Sequence, residues 1–193
     1  MGTIVTISGP SGSGKTTLVD QLLSRGPKYH WIPSVTSRAP RERDVEGEFL
    51  YRTSNQIEEC VAHGEFLWIT PPIHGTQYGT LKQSLEEAFC VSGFHLMMIT
   101  LEYIEVLAAF AGRNASRVVN VHLLSPGEEV LRERLRKRGE SEENIERRLL
   151  ECRDWDEKAR TLRPVPHLVT NNESDLEHLF AQVDKVLAPF NAS

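Results

Sequence analysis

The stretch Gly9-Pro10-Ser11-Gly12-Ser13-Gly14-Lys15-Thr16 constrains this chain more than any other. The pattern G-x-x-x-x-G-K-[ST] is specific when a strand precedes it and a helix follows. Thr3–Ser8 is alternating and β-branched, which predicts a strand. Lys15–Ser24 places Leu18, Leu22 and Leu23 on one helical face, and Gly26-Pro27 stops the helix. The glycines let the backbone curl so that successive N–H groups point inward as an anion nest. The start of the helix adds its positive dipole end. Gly9, Ser11, Gly12, Ser13, Gly14, Lys15, Thr16 and Thr17 are therefore expected to hold the phosphates of a nucleoside triphosphate, namely ATP with Mg²⁺. Lys15 would supply a point charge to the β- and γ-phosphates, and the Thr16 hydroxyl would ligate the metal. A merely flexible Gly/Ser turn would leave Lys15-Thr16 without an explanation.

A chain of 193 residues suits one domain with a mobile sub-domain. Its net charge of −5 gives no global electrostatic reason to bind nucleic acid, so its basic residues must act locally. Cys60, Cys90 and Cys152 are far apart and form no C-x-x-C pair, which predicts buried or half-buried free thiols in a reducing compartment. The 7 histidines show no zinc-ligand spacing. The N-terminus runs straight into a strand without a signal-peptide pattern. The apolar stretches are far short of a membrane span, so no membrane is expected and the cytoplasm is the default location.

Further along, residues 34–80 are rich in charge, Pro and Gly and suggest an irregular insertion with short strands. Asn55–His63 within it reads as a short helix ended by Gly64, and Leu81–Phe89 as another. Leu96–Leu101 and Val118–Leu124 are continuous apolar runs that suit strands buried on both faces. Helices are expected at Leu107–Phe110 and Glu128–Arg138. Ser141 would cap the next one, with Glu142 and Glu143 in its first turn. A strand at His167–Thr170 and an amphipathic helix at Ser174–Leu187 close the chain. Strands alternating with helices imply an α/β fold with a parallel sheet covered on both faces, a three-layer α/β/α arrangement.

Ser34-Val35-Thr36-Ser37-Arg38-Ala39-Pro40-Arg41 sets two arginines three apart beside hydroxyls, which can grip a second phosphate bidentately. Gly64-Glu65-Phe66-Leu67 and Tyr78-Gly79-Thr80 follow. With the phosphate loop, these residues resemble the guanylate kinase family over roughly residues 3–188. The resemblance implies transfer of the γ-phosphoryl of ATP to GMP by a P-loop NTPase fold. It divides the chain into a core (1–33, 86–137, 151–193), a small region binding the nucleoside monophosphate (34–85) and a lid (138–150). Ser34, Arg38, Arg41 and Tyr78 match the family's acceptor-phosphate contacts, and Thr80 a base contact. Arg138, in an R-L-x-x-R-G stretch, and Arg148 match arginines that touch the phosphates in transfer, where one such charge can supply roughly 10³–10⁵ in rate. The remaining cations of that run read as a wet helix face paired with Glu133 and Glu140. Asn171 matches an asparagine near the adenine. A monomer or homodimer is expected.

The base-reading half departs from the family. Trp68 stands where a glutamate reads guanine, so it either stacks on a base or packs the core. The family tyrosine after the glycine matching Gly47 falls on Leu50, although Tyr51 can replace it after a one-residue slip. The family's Asp-x-Asp is replaced by Thr100-Leu101-Glu102 in one alignment, which keeps a carboxylate at the second position. Another alignment leaves no acid there. A site that loses such a reader gives up discrimination of about 10⁴–10⁵, so within the range the resemblance implies, GMP, dGMP or a related (deoxy)nucleoside monophosphate, the acceptor is expected to be other than plain GMP, or GMP bound weakly. Two alternatives stand beside this reading. One is a P-loop kinase of a phosphorylated sugar, similar to ribose bisphosphate kinase. The other is a non-catalytic guanylate-kinase-like binding module, although such modules typically lose a working phosphate loop.

Overall fold

The computed structural model describes residues 2–42, 44–72, 75–164, 166–171 and 176–190. Strand β1 (Gly2–Ser8) is buried along its whole length, as the central strand of a sheet covered on both faces must be. Helix α1 (Lys15–Ser24) follows the phosphate loop with the predicted bounds. Next come β2 (Tyr29–Trp31), β3 (Ser34–Thr36), β4 (Phe49–Tyr51), α2 (Ser54–Ala62), β5 (Phe66–Ile69) and β6 (Tyr78–Leu81). Helix α3 (Lys82–Cys90), β7 (Gly93–Met98), α4 (Ile104–Arg113) and β8 (Arg117–Leu123) carry the chain back through the core. Helices α5 (Glu128–Lys137) and α6 (Glu142–Thr161), β9 (His167–Val169) and α7 (Leu176–Leu187) complete it.

The main sheet has the order β2-β7-β1-β8-β9, and all its pairings are parallel. Val5, Ile7, Leu96 and Val121 point to one face, where Leu18 and Leu22 of α1 and Leu179 and Val183 of α7 cover them. Ile4 and Met97 point to the other, against Leu85 of α3, Leu107 and Phe110 of α4 and Ala159 of α6. Two apolar clusters on opposite faces of one parallel sheet make the expected three layers.

The second face also carries a polar seam. The β1–β8 register sets Thr6 opposite Asn120 and Ser8 opposite His122. The Thr6 hydroxyl donates to Asn120 Oδ1 at 2.8 Å, and Ser8 Oγ lies 2.9 Å from His122 Nδ1. His122 Nε2 lies 3.2 Å from Asp156 of α6, whose carboxylate also accepts the Ser125 N–H. Although this is a Ser–His–Asp chain, Ser8 is fully buried and cannot reach a substrate. The network satisfies buried polar groups and ties α6 to the ends of β1 and β8.

Residues 34–81 form a second, regular sheet in place of the expected irregular insertion. Its order is β4-β3-β6-β5, with β3–β4 parallel and the other pairings antiparallel. Its strands have only three or four residues each, too few for a periodicity to show in the sequence. The same holds for β2. Helix α2 starts one residue before the predicted helix, because Thr53 and Gln56 form a capping box around its first turn.

Other boundaries moved for physical reasons. The strand expected at Leu96–Leu101 occupies Gly93–Met98. Ile99 and Leu101 stay buried after the strand ends, in a short 3₁₀ turn at Leu101–Tyr103, so the apolar run outlasts the strand. Helix α4 extends the predicted Leu107–Phe110 in both directions. Ser141 caps α6 as predicted, its hydroxyl accepting from the Asn144 N–H. The first residues of the expected last helix, Ser174 and Asp175, lie outside the described residues. Cys152 is buried and Cys60 half-buried, but Cys90 is exposed, and none of the three is in a disulfide. No helix among the described residues is long and apolar enough to cross a membrane.

Candidate functional site

The phosphate loop leaves β1 at the C-terminal edge of the sheet and enters α1. Gly14 caps α1 at φ 100°, in the left-handed region. A Cβ there would lie 2.2 Å from Asn171 Nδ2, so both conformation and space require glycine. Asn171 is buried, and its Nδ2 donates to the Ser13 carbonyl at 2.8 Å. Asn171 therefore buttresses the loop from behind. Lys15 folds back over the loop, its ammonium donating to the carbonyls of Gly9 (2.7 Å) and Pro10 (2.9 Å). Burial lowers its pKa to about 8, and Arg138 and Arg148 push in the same direction. Thr16 and Thr17 are exposed in the first turn of α1.

A cavity of about 510 Å³ opens from this loop. Gly9, Pro10, Ser11 and Lys15 form one wall. The second sheet forms another. Phe49 is paired with Ser34, and Trp68 with Thr80. The Val35–Gly79 register, carried one step further, brings Ser34 beside Thr80. Phe49, Ser34, Thr80 and Trp68 thus form one cross-strand row, two hydroxyls between two aromatic rings, and all four line the cavity. Tyr78 and the buried Glu48 also line it, and burial raises the Glu48 carboxyl pKa. The end of β7 contributes Thr100, and α6 contributes Arg148, Glu151, Cys152 and Trp155. Burial pushes the Cys152 thiol up to about 11, so it is not a thiolate nucleophile.

Trp68 packs against a neighbouring ring and also borders the cavity. Its ring is stacked on Tyr103, with centroids 5.3 Å apart and planes 10° apart, and it still borders the cavity. Glu102, by contrast, is exposed on the 3₁₀ turn and is not among the cavity-lining residues. The alignment that kept a base-reading carboxylate there gains no support, because the turn after Thr100 carries residue 102 outward.

Arg38 and Tyr51 sit beside the cavity in a tight anion site. The Arg38 guanidinium lies 4.4 Å over the Phe49 ring and grips Asp44 with two bonds of 2.7 and 2.6 Å. Asp44 raises the Arg38 pKa, and the Tyr78 hydroxyl adds to the effect. The Tyr51 hydroxyl donates to the same carboxylate. The Arg41 side chain is exposed, and its backbone N–H reaches Asp44 at 2.7 Å. Arg38 holds the Asp44 carboxyl well below the usual carboxylate range, and Tyr51 and the Arg41 N–H add to this.

The hairpin of α5 and α6 packs on its own small core of Leu131, Leu135, Ile145, Leu149 and Cys152. Arg148 pairs with Glu140 at 3.0 Å, and Lys137 with Glu133 at 2.7 Å. Glu140 is thus the partner of an arginine expected at the phosphates, and not of a wet-face cation. The same wet face was the expected place of Arg134. Instead it is half-buried and donates to the carbonyls of Gly12 and Asn171 at 3.1 and 3.2 Å. Its spacing of four from Arg138 puts both on one helical face, a signal that could have identified it. Nothing in the sequence pointed to Asp44 or Glu48.

No group of three or more His, Cys, Asp or Glu suited to a metal occurs among the described residues. Magnesium keeps most of its waters and takes few protein ligands beside substrate phosphates, which a single hydroxyl beside the phosphate loop suits. Thr16, and Thr100 through a water, are the side chains that would serve it.

Comparison with known proteins agrees with this geometry. A family model described as guanylate kinase matches residues 1–188. The chain is 34% identical over 189 residues to a guanylate kinase of Anaeromyxobacter dehalogenans (strain 2CP-C), covering 96% of this chain and 80% of that protein. It is 37% identical over 157 residues to one from Parasynechococcus marenigrum (strain WH8102), covering 80% and 83%. The crystal structure of guanylate kinase from Anaplasma phagocytophilum superposes with a TM-score of 0.63 at 21% identity, covering 100% of this chain and 87% of that one. At that identity the superposition establishes the shared fold.

Proposed function

Because the chain belongs to the guanylate kinase family, we propose that it is an ATP-dependent nucleoside monophosphate kinase acting on GMP, dGMP or a related (deoxy)nucleoside monophosphate. One observation carries this reading: a single cavity is walled on one side by the phosphate loop with Lys15 and on the other by Ser34, Tyr78 and Thr80. Two reactants held there can meet for in-line transfer.

In this reading the loop N–H groups and Lys15 bind the donor's phosphates. On ligand entry the Lys15 ammonium exchanges its two carbonyl contacts for phosphate oxygens. The Thr16 hydroxyl would help hold magnesium with the triphosphate, and the metal would neutralise charge on the transferring group. Arg138 and Arg148 supply further positive charge at the phosphoryl group, which has little covalent help and depends on positioning. Ser34, Arg38, Arg41, Tyr51 and Tyr78 orient the acceptor phosphate, and Thr80 contacts the base. The attacking oxygen is already ionised on a phosphate monoester, so no general base is required. Residues 34–85 and 138–150 close over the reactants to exclude water.

A coupled assay with ATP and a panel of nucleoside monophosphates tests this, and no turnover with any of them refutes it. The second reading, a phosphorylated-sugar acceptor, is favoured by the Trp68–Tyr103 stack where a guanine reader is expected. Competition between a sugar phosphate and GMP for the same site separates the two.

A further inference from the structure

We propose that Asp44 is a resident anion in the acceptor's phosphate pocket, so that only ligands whose phosphate outcompetes a carboxylate gain entry. The inference rests on the acceptor site assigned above. Four donors converge on this one carboxylate: two Arg38 N–H groups, the Arg41 backbone N–H and the Tyr51 hydroxyl. Arg38 and Tyr51 are also the groups assigned to the acceptor phosphate. The Arg38 and Asp44 side chains are only 9% and 14% exposed, so the pair leaves little of either open to solvent. Asp44 is held in place by a turn, in which its own N–H donates to the Arg41 carbonyl at 3.0 Å.

The chemistry of the two anions decides which one wins. A carboxylate offers two oxygens and one negative charge. A phosphate monoester at neutral pH offers three terminal oxygens and a charge of about −1.5 to −2. The same donors therefore favour the monoester over Asp44. A phosphodiester, with one charge and two free oxygens, has no such advantage. Asp44 thereby sets a threshold of affinity that a nucleoside monophosphate clears and a cyclic nucleotide does not, while the donors themselves set the ratio between the two. Asp44 weakens every acceptor by the fraction of molecules in which the pocket is free. An occupancy by Asp44 of about nine-tenths would raise the apparent Kd about tenfold.

The test compares binding of GMP, inorganic phosphate and cyclic GMP by calorimetry to the whole protein and to Asp44→Asn, which keeps the shape and removes the charge. The expected result is about tenfold tighter binding of GMP and phosphate by the variant, with cyclic GMP becoming measurable. Equal or weaker binding by the variant overturns the proposal and makes Asp44 a residue that positions Arg38. If phosphate tightens but neither protein takes up any monophosphate nucleotide, the resident anion stands and the kinase reading falls. A second measurement uses the unaltered protein: the ¹³C resonance of the Asp44 carboxyl, followed during phosphate titration. It should shift as the carboxylate is released, and a resonance that does not respond overturns the proposal.

Discussion

Lys15 should take up a proton when nucleotide binds, and the amount can be worked out in advance. Burial beneath the loop, with Arg138 and Arg148 nearby, brings its pKa from the ordinary 10.5 to about 8. The folded protein therefore holds fewer protons than the unfolded chain between about pH 8 and 10.5. Its stability rises with pH across that window, and the cost of the buried charge is fully present below it. A triphosphate placed against the ammonium restores its charge. At pH 8 about half of the Lys15 amines are neutral, and at pH 9 about nine-tenths. Binding of a non-hydrolysable ATP analogue should then consume about 0.5 proton at pH 8 and about 0.9 at pH 9. Calorimetry in buffers of different ionisation enthalpy reads this number directly from the slope. Lys15→Met should show no uptake, lose turnover, and unfold no earlier than the unaltered protein at pH 7, because it removes a desolvated charge. A zero slope at pH 9, or the same slope in Lys15→Met, refutes the argument.

Three other substitutions probe the supports of the site. Gly14→Ala forces a side chain into the left-handed region and against Asn171, and should cost about 1–3 kcal/mol in denaturant unfolding while weakening the ATP analogue. Arg134→Ala removes two charge-assisted bonds to the loop region and should lower stability by about 1–2 kcal/mol, read as a fall in Tm that nucleotide partly restores. Trp68→Ala removes the stack on Tyr103 and should destabilise by about 2 kcal/mol, with a change in the ranking of acceptors in the coupled assay.

The phosphate-loop wall of the cavity was legible because its physics is local. A turn that curls N–H groups inward needs glycines at fixed spacing, and Gly9–Thr16 displays them in one uninterrupted run. Strand β1 and helix α1 could be read for the same reason. The opposite wall of the cavity is assembled from strands of three or four residues, whose pairing is set by tertiary contacts. Sequence pattern therefore suggested irregular chain where a four-stranded sheet exists. Asp44 was invisible because its meaning depends on which donors the turn at 41–48 brings to it. Arg134 was misplaced because helix periodicity gives a residue's face, but not what that face meets. Glu102 shows a related limit, since spacing along the chain does not reveal that it lies exposed on a 3₁₀ turn.

Helix α6 is unbroken from Glu142 to Thr161, about 30 Å of rod. Near one end Ile145 and Leu149 are cemented to α5; near the other, Ala159 is sunk in the main core and Asp156 is bolted to His122 and Ser125. Between these anchors it presents Arg148, Glu151, Cys152 and Trp155 to the cavity. A stiff beam fixed at one end transmits any tilt of the other along its length. Movement of the α5–α6 tip is therefore mechanically geared to the width of the chamber in which the reactants would meet.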